Sequence, residues 1–276
     1  MMIRILAACL AMAGAAHAQK LDKKTEAALD AAIAGEHRSD ENRARDQFRH
    51  PKETLAFFGL RSDMTVVEIW PGTGWYSEIL APALKDRGEF VAAQFSVNAP
   101  YGYQRRGLGA YLTMLGQKPD IYRDVAVTTF GYPYDLKIAE PGSVDMVVTF
   151  RNAHNWVSDL YPDGHFAPLA FKAFYDALKP GGVLGLVDHR WSDPANEDPK
   201  AANGYVSEAR VIALAEAAGF KLAGRSELNA NPRDEKNYEK GVWTLPPVLA
   251  DGENDRDRYL AVGESDRMTL KFVKPE

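Results

Sequence analysis

The stretch VVEIWPGTGWYSEIL, residues 66–80, constrains the fold more than any other part of the chain. It starts as an apolar, β-branched strand, turns through Gly72 and Gly74, and goes on as a helix. Glycine lets a backbone turn tightly and approach a ligand closely, and the free N–H groups of a helix start favour negative charge. A strand feeding a helix through such a turn is one unit of a parallel sheet, and the unit repeats. Strands are predicted over 65–70, 89–95, 124–130, 144–150, 183–188, 220–226 and 267–273. Helices are predicted over 74–84, 104–115, 165–178 and 205–218, the third stopped by Lys179-Pro180-Gly181-Gly182 and the fourth capped by Gly219. Strand–helix alternation of this kind gives an α/β, doubly wound sheet with helices on both faces.

Residues 1–18 read as a secretory signal. Arg4 is the positive end, ILAACLAMAGAA the short apolar run, and Ala16-His17-Ala18 the small-x-small cleavage site. Leu6-Ala7-Ala8-Cys9 resembles a lipoprotein box, but Cys9 falls before the apolar run is complete. With the signal gone the chain has no cysteine, hence no disulfide and no thiol nucleophile. A periplasmic or secreted protein without stable membrane insertion is expected, since no other stretch is long and apolar enough to span a bilayer. Loss of Arg4 leaves 32 bases against 38 acids, a net charge of about −6. No basic tract with interleaved aromatics occurs, so the expected partner is a small molecule and not nucleic acid.

Three regions follow the signal. Residues 19–60 form a charged N-terminal helical extension, and 61–276 the α/β domain. Within that domain 229–266 is a long connection that carries Trp243, Leu245, Pro246 and Pro247. A loop of this length with apolar residues is expected to be an ordered flap over the ligand mouth. The run HRSDENRARDQFRHP, 37–51, reads as a solvated helix face with internal ion pairs. Its functional version has His37, Arg38 or His50 lidding the pocket. Glu264-Ser265-Asp266-Arg267 reads as a turn and ion-pair device, and Trp75 and Tyr76 as packing residues.

The turn is a poor dinucleotide fingerprint, because Ser77 stands where a third glycine belongs and Trp75-Tyr76 are bulky. Glu68, four residues before Gly72, points elsewhere. V-E-x-x-P-G-T-G resembles motif I of the class I S-adenosylmethionine-dependent methyltransferases, commonly D/E-x-G-x-G-x-G. GSVDMVVTF resembles their fourth strand, ALKPGGVLGLVD their fifth strand with its preceding turn, and AEAAGFKL the entry to their sixth. The likeness covers roughly residues 60–273. The whole chain, with EHRSDENRARDQFRHP and GESDRMTLKFVKP, resembles an exported bacterial group of predicted methyltransferases. The resemblance implies a Rossmann-like seven-stranded sheet of order 3-2-1-4-5-7-6, the last strand antiparallel. It implies S-adenosylmethionine beyond the carboxyl ends of strands one and four. Carried over, Glu68 lies beneath the methionine moiety, and Gly72 and Gly74 shape the turn. Asn152 and Asn155, just after the fourth strand, are expected to position the acceptor or the methionine group. Gln94 stands where an acid usually holds the ribose. Trp70 replaces the first glycine.

RNAHNW, 151–156, and DHR, 188–190, follow the fourth and fifth strands and are expected to face one pocket. His154 is the first candidate base, His189 the second, and Asp188 the group that orients either one. The three lack H-E-x-x-H or any comparable ligand spacing, so no metal is expected. The leading function is a methyltransferase acting on a small molecule in the cell envelope. The alternative is a catalytically retired methyltransferase fold that binds a ligand, with Trp70 and Gln94 in its support. Hydrolase or lyase chemistry at His154 and Asp188 has no nucleophile motif behind it.

Overall fold

A computed structural model describes residues 20–161 and 166–276. The signal expected over 1–18 lies outside the described residues. Four helices come first: α1 Lys23–Ala34, α2 Asp40–Arg43, α3 Asp46–Arg49 and α4 Pro51–Phe58. Then follow β1 Thr65–Ile69, α5 Ser77–Leu84, β2 Glu89–Gln94, α6 Gly102–Gln117, α7 Pro119–Tyr122 and β3 Ala126–Thr129. The second half runs β4 Val144–Phe150, α8 Ala153–Trp156, α9 Phe166–Ala177, β5 Leu178–Trp191, β6 Val206–Ser207, α10 Glu208–Ala217, β7 Lys221–Ser226, α11 Arg256–Val262 and β8 Arg267–Val273.

The strand order is β3-β2-β1-β4-β5-β8-β7, with β6 paired to β5. Strand β8 runs antiparallel to both β5 and β7. Discounting β6, this is the expected 3-2-1-4-5-7-6 order. β6 has only two residues, too few to leave a period in the sequence. The order reverses between β1 and β4, both of which run parallel, so a crevice opens beyond their carboxyl ends.

Strand β1 shows how the sheet divides the apolar residues. Val67 and Ile69 face one core with Phe171 and Phe174 of α9 and Val211 of α10. Val66 faces the other, with Leu29, Leu55, Ile79 and Tyr111 from α1, α4, α5 and α6. Side chains alternate along a strand, so each face carries its own layer. Residues 20–60 contribute Leu29, Leu55, Phe57 and Phe58 to the second core. The charge run departs from the solvated face expected of it: Arg38 and Arg49 are buried. Their acidic partners include Glu78 and Glu264, far along the chain.

Residues 229–266 fold as a cover with a short 3-10 turn, Gly241–Thr244, and α11. Leu245 is buried, and Asn231 donates to the carbonyls of Val262 and Glu264. Among the described residues no helix is long and apolar enough to cross a membrane.

Candidate functional site

The glycine turn lies at the carboxyl end of β1. Trp70 has φ 46°, a left-handed conformation that costs a non-glycine residue about 1–3 kcal/mol. Packing holds it there. The indole lies 4.7 Å from Phe95, 5.7 Å from Phe130, 6.0 Å from Trp156 and 5.6 Å from Phe166, centroid to centroid. Its Nε1–H donates to the Phe130 carbonyl at 2.8 Å. Phe95 and Phe130 follow β2 and β3, and Trp156 ends the helix after β4. Trp70 therefore spans the crevice beyond four strand ends and is only 4% exposed.

Gln94 departs from the ribose-holding role carried over for it. Its Nε2 donates to the Gly72 carbonyl at 3.0 Å and its Oε1 accepts from the Phe95 N–H at 2.9 Å. Both ends are used inside the protein, and the side chain is fully buried. Asn152 likewise turns inward, donating to the Ile69 carbonyl and to Thr149 Oγ1. It fixes the start of the glycine turn. Glu68 lies beneath that turn and accepts from Ser77 Oγ at 2.7 Å. Burial pushes its carboxyl up to about 8, so it is protonated at neutral pH. Tyr111 of α6 completes the chain by donating to Ser77 Oγ at 3.1 Å.

The two glycines serve different ends. No atom lies within 4 Å of where a Gly72 side chain would begin, so the turn is open above it. A Cβ on Gly74, at φ 95°, would come within 2.3 Å of Met114 and 3.2 Å of Tyr111. What excludes a side chain at Gly74 is helix α6 and not a ligand.

The second part of the site is where the two polar clusters meet. His154 Nδ1 lies 2.9 Å from Asp188 Oδ1, and the His154 backbone N–H donates to Oδ2 at 2.9 Å. The His189 backbone N–H donates to Oδ1 at 2.7 Å. With Nδ1–H held by the carboxylate, His154 presents its Nε2 lone pair outward, the tautomer that a general base needs. The His189 ring centroid is 5.2 Å from that of His154, and its Nδ1 meets Ser265 Oγ at 2.5 Å. Burial, with the neighbouring His154 and Arg151, holds His189 well below its ordinary pKa, so it stays neutral. His154 opens into a cavity of about 330 Å³ lined also by Asn155, Ser158, Leu160, Ala201 and Trp243. Trp243 comes from the 229–266 cover, with its ring 6.3 Å from His154. His154, Asp188 and His189 each place a ligand-type atom within 4.8 Å of the others.

Behind His189 lies a network that sequence reasoning missed. Glu264, 3% exposed, accepts from Arg49 at 3.0 Å and Arg45 at 2.7 Å, and pairs with Arg267 at 3.0 Å. The arginines hold its carboxyl far below the usual range. The 264–267 turn is indeed an ion-pair device, but its partners lie 215 and 219 residues away. The run 37–51 and the turn carry complementary charge, which is the only signal the sequence holds for this contact.

No family model and no curated protein matches the chain. Solved structures do. A SAM-dependent methyltransferase from Aquifex aeolicus superposes with a TM-score of 0.54 at 16% identity, over 84% of this chain and 93% of that one. The fold is that of the S-adenosylmethionine-dependent methyltransferases. An arsenic(III) S-adenosylmethionine methyltransferase from Chlamydomonas reinhardtii gives 0.50 at 13% identity, over 90% and 73%. The cyclase SpnF gives 0.55 at 13%, over 92% and 97%, so proteins named for other chemistry share this architecture.

Tested against this cofactor, the site divides in two. Open space above Gly72 and the buried Glu68 suit the methionine half. The adenosyl half has no room while Trp70 holds its present rotamer and Gln94 is tied to Gly72. The whole cofactor does not fit this arrangement; the indole has to leave first.

Proposed function

We propose that the protein is an S-adenosylmethionine-dependent methyltransferase for a small-molecule acceptor in the cell envelope, of the exported group that its sequence resembles. Nucleic acid has no part in this reading. The observation that carries it is the His154–Asp188 pair, opening into a pocket beyond the carboxyl ends of β4 and β5 on a methyltransferase fold. The cofactor, when bound, supplies an electrophilic methyl group. The residues of this chain do the rest. His154 Nε2 takes the acceptor's proton, Asp188 holds the ring in the right tautomer, and Trp243 covers the acceptor.

One observation favours a second reading. Trp70 fills the crevice and Gln94 is consumed inside it, as expected of a fold that has given up its cofactor and binds another ligand. Calorimetric titration with S-adenosylhomocysteine separates the two. On the first reading the parent binds, and Trp70→Gly binds at least tenfold more tightly because no indole has to be displaced. Binding by Trp70→Gly alone selects the second reading. Binding by neither variant removes the cofactor from both.

A further inference from the structure

Three segments of the chain wall the cavity beside His154. His154, Asn155 and Leu160 line it from the stretch after β4, Ala201 and Ala202 from the loop before β6, and Trp243 from the 229–266 cover. At about 330 Å³ it lies at the small end of ligand pockets, which run from roughly 300 to 1,000 Å³. That suits a molecule of one or two rings.

Trp243 is the unusual wall. Indole is among the largest apolar groups a fold can bury, yet this one is 37% exposed. A loose backbone is not the cause. The Val242 N–H donates to the Asn203 carbonyl at 2.9 Å, and the Trp243 carbonyl accepts from the Ala250 N–H at 2.9 Å. The ring packs over Gly204, where a Cβ would come within 3.2 Å of it. The loop before β6 clears a seat for the indole, and hydrogen bonds on either side of it pin the chain there. A pinned aromatic wall is a preorganised platform for another flat ring. It favours an aromatic ligand over an aliphatic one of equal size by roughly two- to tenfold in affinity.

The charges at the cavity cancel. Lys200 and Asp159 both line it, and they pair with each other at 2.7 Å. Among the described residues no other Lys, Arg, Asp or Glu lines it. An ionised ligand would lose hydration here without an opposite charge to replace it. A neutral one avoids that cost. The polar groups left for it are few. His154 Nδ1 is spent on Asp188, and Ser158 Oγ donates to the Asn155 carbonyl. His154 Nε2 remains as an acceptor, so the ligand has to bring a donor. Phenolic hydroxyls ionise near a pH of about 10 and aliphatic ones far higher, so a phenol is the stronger donor to a neutral imidazole.

We propose that this cavity binds an uncharged phenol, its ring on Trp243 and its hydroxyl on His154 Nε2. Calling that phenol the methyl acceptor rests on the function proposed above. Its binding is tested without S-adenosylmethionine, so that either can fail alone.

The test is calorimetric titration of the purified chain at neutral pH with three two-ring probes: 2-naphthol, its saturated counterpart decahydro-2-naphthol, and the anion 2-naphthoate. The parent binds 2-naphthol saturably, the saturated alcohol roughly two- to tenfold more weakly, and 2-naphthoate more weakly than 2-naphthol. Trp243→Leu weakens 2-naphthol and brings it level with the saturated alcohol. Ala202→Leu, which fills the cavity from an exposed position, weakens both alcohols. Absence of saturable 2-naphthol binding by the parent overturns the proposal. Equal affinity of the parent for the two alcohols overturns it too, because the site is then merely apolar. Tighter binding of 2-naphthoate makes it an anion site, and parent-like 2-naphthol binding by either variant places the ligand elsewhere; both outcomes overturn it as well.

Discussion

Replacing Glu68 by glutamine should make the protein more stable, and by an amount that depends on pH. Glu68 is 2% exposed, and burial raises its carboxyl from 4.5 to about 8. The folded state therefore keeps a proton that the unfolded chain has already lost. Since the folded value is the higher, the parent's stability is undiminished below about pH 4.5 and declines as pH climbs to about 8. The span of about 3.5 pH units at about 1.36 kcal/mol each sets a ceiling near 5 kcal/mol, of which about 3 kcal/mol is lost by pH 7. Glutamine has the same shape and can still accept from Ser77 Oγ, but it never ionises. Urea unfolding of both proteins between pH 5 and pH 8.5 isolates the effect, because all other titrations cancel in the difference. The variant should gain on the parent steadily across that range, reaching about 3 kcal/mol at pH 7. A difference that does not change with pH would show that Glu68 ionises normally and that the turn is not built over a protonated carboxyl.

Trp70→Gly should lose about 2–4 kcal/mol in urea unfolding: about 3–5 for the vacated indole site, less about 1 for relief of its left-handed backbone. A loss above 6 kcal/mol would mean that the aromatic cluster collapses without it. Glu264→Gln should cost about 3–5 kcal/mol at pH 7, because it leaves buried arginines unpaired. The gap should close as pH falls through the depressed value of the Glu264 carboxyl, where the parent loses the same charge. A neutral outcome at pH 7 would remove Glu264 from the centre of the network. Gly74→Val should unfold at lower temperature than the parent because α6 packs against that position. An unchanged Tm would show that α6 yields there.

The strand ladder was legible because it is local. Strand β8, Arg267–Val273, matches the residues read from its alternating Met, Leu, Phe and Val. The clusters after β4 and β5 were placed together because strand order alone decides that neighbourhood. Side-chain direction was not legible. Gln94 sits at the expected strand end, yet it faces the Gly72 carbonyl, and no periodicity encodes which way an amide turns. Trp70 shows the same limit. Its position in the turn was evident, but its burial depends on Phe95, Phe130, Trp156 and Phe166, which only the folded sheet brings together. The arginine network escaped for a third reason. A run of mixed charge reads as a solvated surface unless its partner is known, and Glu264 lies more than 200 residues from Arg49.

The measurement that bears most directly on the proposed activity is transfer of labelled methyl from S-adenosylmethionine into small molecules of an envelope extract. The parent should label a small molecule, and His154→Ala should lower the rate by about 10²–10⁴ while S-adenosylhomocysteine affinity stays within a few-fold of the parent's. Equal labelling by parent and His154→Ala would show that His154 is not the base. No labelling by the parent, with Trp70→Gly alone binding S-adenosylhomocysteine, would contradict a methyltransferase and leave the ligand-binding fold.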